Sequence, residues 1–196
     1  MTPSTTLPES FIRRISLQQF ALFILMASMS VLFTASIIAY VWTRLVNPIW
    51  KTPEMPELPL GLLASTAMIA GLSASMHLAV RDVRANKTES LQRDLWLALA
   101  FAVAFLLGQI LNWRTMAPGL SAPVPHPLYP FTFYMLTGLH AAHVVGGFIP
   151  LGITIANARR RRYTSSKHEG VRLCRQYWDF LGVVWVILLI ALFVVT

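Results

Sequence analysis

Five long apolar stretches, separated by short polar ones, dominate the chain. The first runs from about Gln19 to Val46 and carries no charge from Ile15 to Thr43. The second is Leu58 to Val80, between Glu57 and Arg81. The third is Leu95 to Trp113, between Asp94 and Arg114. The fourth is about Leu128 to Ile155, within an uncharged run from Thr115 to Ala158. The fifth is about Gln176 to Thr196, with Asp179 near its start. A helix needs roughly 20 apolar residues to cross a bilayer. None of the stretches alternates as a barrel strand does. The pattern predicts an all-α fold: an integral membrane bundle of five transmembrane helices over residues 19–196, preceded by a short tail over 1–18.

The fourth stretch is the most unusual. It packs His140, His143, Thr137, Gly138, Gly146 and Gly147 into one apolar helix. Small residues let membrane helices approach closely, and buried polar side chains find partners on neighbours. Gly138, Ala142 and Gly146 recur every fourth residue, which predicts a packing row. His140 and His143 share a face, about 130° around the helix from that row. Pro150 falls inside the same helix and predicts a kink toward its basic end.

Charge fixes an expected orientation. Of the lysines and arginines, thirteen lie in the N-terminal tail and in the loops after the second and fourth spans; Arg44, Lys51 and Arg114 lie on the opposite side. Cytoplasmic loops carry the positive excess, so the N-terminus is expected in the cytoplasm and the C-terminus outside. The net charge of +8 therefore reads as topology and contact with anionic lipid, not nucleic acid. Only 12% of residues are charged and 56% are hydrophobic, which excludes an ordinary soluble domain. The single cysteine, Cys174, excludes an intrachain disulfide and a thiolate cluster. Tryptophans 42, 50 and 113 are expected at the outer boundary and 96 and 178 at the inner one.

Candidate chemistry is sparse. A bis-histidine haem needs two imidazoles at one depth on facing helices. Mid-membrane His143 and near-cytoplasmic His77 differ in depth by roughly 18 Å at ~1.5 Å per residue. His126 and His168 fall in loops. His140 and His143 are therefore read as hydrogen-bonded packing residues, with no catalytic, cofactor or metal site assigned. Asp179 is the one acid inside a span and should sit level with His77, near Arg175. Intramembrane ionisable groups are functional candidates; the plainer reading is an interfacial aspartate paired with arginine. Gln109, Asn112, Tyr134 and Thr137 are candidate interhelical hydrogen-bonders.

Two motifs carry a family resemblance. Phe133-Tyr134-x-Leu136-Thr137-Gly138-x-His140-x-x-His143-Val144-x-x-Gly147 resembles the signature of subunit III of haem–copper respiratory oxidases. Tyr177-Trp178-x-Phe180-x-x-Val183-Val184-Trp185 resembles a second motif of that family, and Gln109 stands at its helix-three glutamine. Five spans are similar to the short form of subunit III, which lacks the first two helices of the seven-helix form. The chain is a divergent member: Ser30, Asn112 and Gly182 stand where the family has acidic residues, and Asp179 where it has a histidine.

The resemblance implies a non-catalytic subunit without redox centres of its own. Haem and copper would sit in the partner subunit I, accompanied by subunit II and a small subunit IV. Such a subunit stabilises subunit I, supports proton uptake and binds phospholipid, in an inner membrane, here expected to be bacterial rather than mitochondrial. Two other readings stay open from the residues: a subunit III-like accessory protein of a nitric oxide reductase, and a haem b membrane anchor. A small transporter would need a discontinuous helix and repeat symmetry, and neither is visible in the sequence.

Overall fold

A computed structural model describes residues 16–48, 50–53, 55–121 and 128–195. Residues 1–15, which include Arg13 and Arg14, His126 and Thr196 lie outside the described residues. The described residues form five helices: α1 (Leu17–Val46), α2 (Gly61–Arg84), α3 (Thr88–Met116), α4 (Leu128–Arg159) and α5 (Glu169–Val195). A short 3₁₀ turn, Ala117–Ser121, follows α3. All five helices are long and apolar enough to cross a membrane, and the chain is a multi-pass membrane protein. The helices outrun the apolar stretches: α2 continues to Arg84, α3 starts at Thr88, α4 reaches Arg159 and α5 starts at Glu169. Charged residues that cannot enter hydrocarbon still extend a helix beyond it.

The turns follow from local chemistry. Three residues join α2 to α3, with Asn86 at φ 55°. Asparagine tolerates this left-handed conformation. There the Lys87 amide donates to the Asp82 carbonyl at 2.9 Å, closing the end of α2. Arg161 repeats the device after α4 at φ 52°, and the Arg162 amide donates to the Asn157 carbonyl at 3.0 Å. The Asn86 side-chain oxygen accepts from the Ser165 amide at 2.8 Å, joining the two basic loops.

Four helices close a ring: α2 packs on α3 and α5, and α4 packs on α3 and α5. The first helix lies outside, against α5 and α4, and buries only Met29, Phe33 and Tyr40. It is fastened at both ends. Ser16 caps it, accepting from the Gln19 amide, and donates its hydroxyl to Glu169 of α5 at 2.6 Å. At the other end Trp50 packs between Tyr40, tilted at 5.6 Å, and Tyr129 of α4, edge-on at 6.1 Å. Trp50 and Trp178 are core residues, 3% and 1% exposed; Trp42 and Trp96 are the exposed tryptophans.

Candidate functional site: the polar and aromatic interior of the ring

The signature helix α4 turns a different face inward from the one its small residues suggest. The inward row is Phe133, Leu136, Thr137, His140, Ala141, Val144, Gly147 and Leu151. Ala142 and Gly146 are exposed, and a Cβ added at Gly138 would meet nothing within 4 Å. The expectation that Gly138, Ala142 and Gly146 form the packing row of this chain is therefore corrected. Gly147 is the glycine of close approach: a Cβ there would lie 2.8 Å from the Trp178 ring and 2.9 Å from that of Tyr177. The Tyr177 hydroxyl donates to the His143 carbonyl at 2.8 Å, so the two motifs meet directly across α4 and α5.

His140 is fully buried in a box of aromatic rings. Phe105 of α3 stands edge-on at 5.7 Å, Trp185 of α5 lies at 5.2 Å and Phe33 of α1 at 6.1 Å. Neither of its ring nitrogens has a hydrogen-bond partner among the described residues. The hydrogen bond expected of it is not made among the described residues. His143 is half-buried; its Nδ1 faces the Leu139 carbonyl at 2.8 Å and its ring lies 5.1 Å from Phe33.

Around this box the polar side chains are committed in pairs. The Trp185 indole donates to Thr66 of α2 at 3.0 Å. The Trp113 indole donates to Thr137 at 2.9 Å, and Thr137 donates to the Phe133 carbonyl at 2.7 Å. The Tyr134 hydroxyl donates to the Trp113 carbonyl. Asn112 donates to Ser65 at 3.3 Å across α3 and α2. Gly61 gives Asn112 its room: a Cβ there would lie 2.2 Å from the Asn112 side-chain oxygen. Gln109 is fully buried, and both its amide atoms lack partners.

A second polar group sits between α2 and α5, toward the basic loops. Asp179 accepts from the Ser73 hydroxyl at 2.6 Å, and its other oxygen lies 3.6 Å from both His77 Nε2 and Arg175 Nε. His77 Nδ1 faces the Ser73 carbonyl at 2.9 Å. The structure thus brings His77 and Asp179 together and gives the carboxylate its arginine as well. Sequence reading missed Ser73, although it stands one helical turn before His77. The group heads an apolar groove of about 480 Å³ lined by Ile69, Ala70, Gly182, Val183 and Val186. At Gly182 a Cβ would come 3.2 Å from Ile69, so the glycine lets the two helices close.

Among the described residues no three His, Cys, Asp or Glu side chains gather as a metal-holding group. The arrangement is one of interlocked aromatic rings and paired polar side chains, concentrated on the residues of the two motifs. Comparison with known proteins agrees with those motifs. The family profile of cytochrome c oxidase subunit III matches residues 14–196. The chain is 31% identical to cytochrome c oxidase subunit 3 of Synechocystis sp. over 180 residues, covering 90% of this chain and 75% of the relative. It is 28% identical to that of Thermostichus vulcanus over 177 residues, covering 89% and 86%. It is 25% identical to the probable cytochrome c oxidase subunit 3 of Mycobacterium leprae over 162 residues, covering 82% and 80%. With the match running through all five helices, the chain belongs to the cytochrome c oxidase subunit III family.

Proposed function

We propose that this chain works as the non-catalytic subunit III of a haem–copper oxidase in aerobic respiratory electron transport. The observation that carries the reading is the family match over residues 14–196, nearly the whole chain. The interior supports it, because the motif residues are spent on packing and on hydrogen bonds between helices. The chain itself holds no redox centre in this reading; haem and copper belong to subunit I, against which it packs, with subunit II and a small subunit IV completing the assembly. It stabilises subunit I and supports proton uptake, in a bacterial inner membrane, with the N-terminus in the cytoplasm. The matches favour neither the nitric oxide reductase accessory nor the haem b anchor.

Bound phospholipid is part of the proposal. A groove of about 680 Å³ runs between α1, α4 and α5. Leu22, Leu25, Pro150 and Ile153 line its apolar length, and Asn157 and Tyr163 stand at its basic-loop end. That shape suits an acyl chain with a headgroup at the interface.

The test is purification through a tag on this chain in a mild detergent. A haem-bearing partner that consumes oxygen should accompany it, with phospholipid detected by mass spectrometry. Recovery of this chain alone across several mild detergents overturns the subunit reading. A pyridine haemochrome signal from the isolated chain overturns the assignment of haem to the partner.

A further inference from the structure

The centre of the ring holds four polar atoms for which the fold supplies no partner. They are the two ring nitrogens of His140 and the two amide atoms of Gln109, on side chains that are each 0% exposed. The contacts between α3 and α4 bracket the two residues together. On α3, Gln109 lies one turn from Phe105 and one turn from Trp113. Phe105 packs on His140, and Trp113 donates to Thr137, three residues before His140. Gln109 therefore faces α4 between Thr137 and the level of His140.

The neighbouring donor hydrogens are already committed. The Trp185 N–H goes to Thr66, the Trp113 N–H to Thr137, and the Thr137 hydroxyl hydrogen to the Phe133 carbonyl. Phe33, Phe105 and the Trp185 ring close the inner side of the box with carbon. An unmade hydrogen bond is expensive in a membrane interior, where no bulk water can replace it. Nor is the set of atoms random. A neutral imidazole offers one donor and one acceptor, and the glutamine amide offers both as well. Such a balanced, uncharged set suits a ligand that donates and accepts equally. It does not suit an anion, which needs donors only, or a cation, which needs acceptors only.

We propose that Gln109 and His140 together hold one water molecule at the centre of the bundle, bridging α3 and α4. Buried waters typically join two to four otherwise unsatisfied polar groups. Here the water donates to the free imidazole nitrogen or the amide oxygen and accepts from the N–H of the other residue. The site lies inside this subunit and is independent of the partner it packs against.

The direct test is a high-resolution electron-microscopy map of the intact assembly. A solvent peak within hydrogen-bond distance of both side chains supports the proposal. A direct Gln109–His140 hydrogen bond, or two side chains with no shared peak, overturns it. The second test is a mutant cycle of Gln109→Leu, His140→Phe and the double variant, read by the thermal midpoint of the purified assembly. Each single change strands the other residue and should lower the midpoint by about 2–10 °C. The double variant removes both polar groups and should recover at least half of the summed loss. Strictly additive losses overturn the coupling. Failure of a variant to assemble leaves the map of the unaltered protein to decide.

Discussion

Trp178 occupies the space that a side chain on Gly147 would need: a Cβ there would sit 2.8 Å from the indole. The ring has little freedom to yield, being buried and packed against Phe148 at 6.3 Å and Tyr177 at 6.1 Å. Gly147→Ala should therefore destabilise by about 1–3 kcal/mol through overpacking, despite the better helix propensity of alanine. Gly138→Ala, in open space, should be neutral or slightly stabilising. Thermal midpoints of the two variants in detergent decide it. Equal effects would mean that Gly147 is not the contact point of α4 and α5.

That contrast shows what the sequence could and could not tell. The five spans, and the fold class with them, were readable because uncharged runs of this length have one physical outcome. The inward face of α4 was not readable from its glycines. Lipid is as apolar as a protein core, so hydrophobicity marks the membrane and leaves the buried side undefined. The row Gly138–Ala142–Gly146 is regular, yet neither of its glycines marks a close approach of helices; the helix is oriented instead by the partners of Thr137, His140 and Gly147. The meeting of His77 and Asp179 was legible, since equal depth follows from counting residues to the nearest loop charge. Ser73 was not, because a serine in a small-residue helix such as α2 carries no distinguishing signal. Trp178 misled in another way: a tryptophan near an interface can anchor to the headgroups or fill a gap beside a glycine.

At Asp179 the hydrogen bond from Ser73 should matter more than the ion pairs. The carboxylate takes the Ser73 hydroxyl at 2.6 Å, while His77 and Arg175 stand at 3.6 Å and the side chain is 28% exposed. Partly solvated pairs at that distance contribute at most about 1 kcal/mol. Asp179→Asn keeps an oxygen for Ser73 and should cost less than about 1 kcal/mol. Asp179→Leu leaves the hydroxyl stranded and should cost about 1–3 kcal/mol. Thermal midpoints at low and high salt separate the terms, because only the ion pairs respond to salt.

The Trp185–Thr66 hydrogen bond is the polar tie between α5 and α2 on the wall of the aromatic box. Thr66→Val preserves shape and removes the acceptor. Trp185→Phe removes the donor and part of the ring facing Phe105 and His140. A double-mutant cycle should give a coupling of about 0.6 kcal/mol, the average for hydrogen bonds between membrane helices, and no more than about 1.7 kcal/mol. A coupling near zero would assign the stability at Trp185 wholly to its ring.

Orientation can be read with two single cysteines. The native Cys174 is buried, at 3% exposure, and supplies little background. Ser165, in the loop after α4, and Ser121, in the turn after α3, are both exposed. At ~1.5 Å per residue the 32 residues of α4 span roughly 48 Å, well beyond a hydrocarbon core of about 30 Å. Ser165 therefore clears the bilayer, on the side of the two basic loops after α2 and α4, whose segments carry eleven of the lysines and arginines. Because the translocation machinery retains such loops in the cytoplasm, Ser165→Cys should react with a membrane-impermeant maleimide only after the cells are opened. Ser121→Cys, on the side with Arg44, Lys51 and Arg114, should react in intact spheroplasts. The reverse pattern would invert the bundle. It would also place the His77–Asp179–Arg175 group at the outer face, where it could not take part in proton uptake from the cytoplasm.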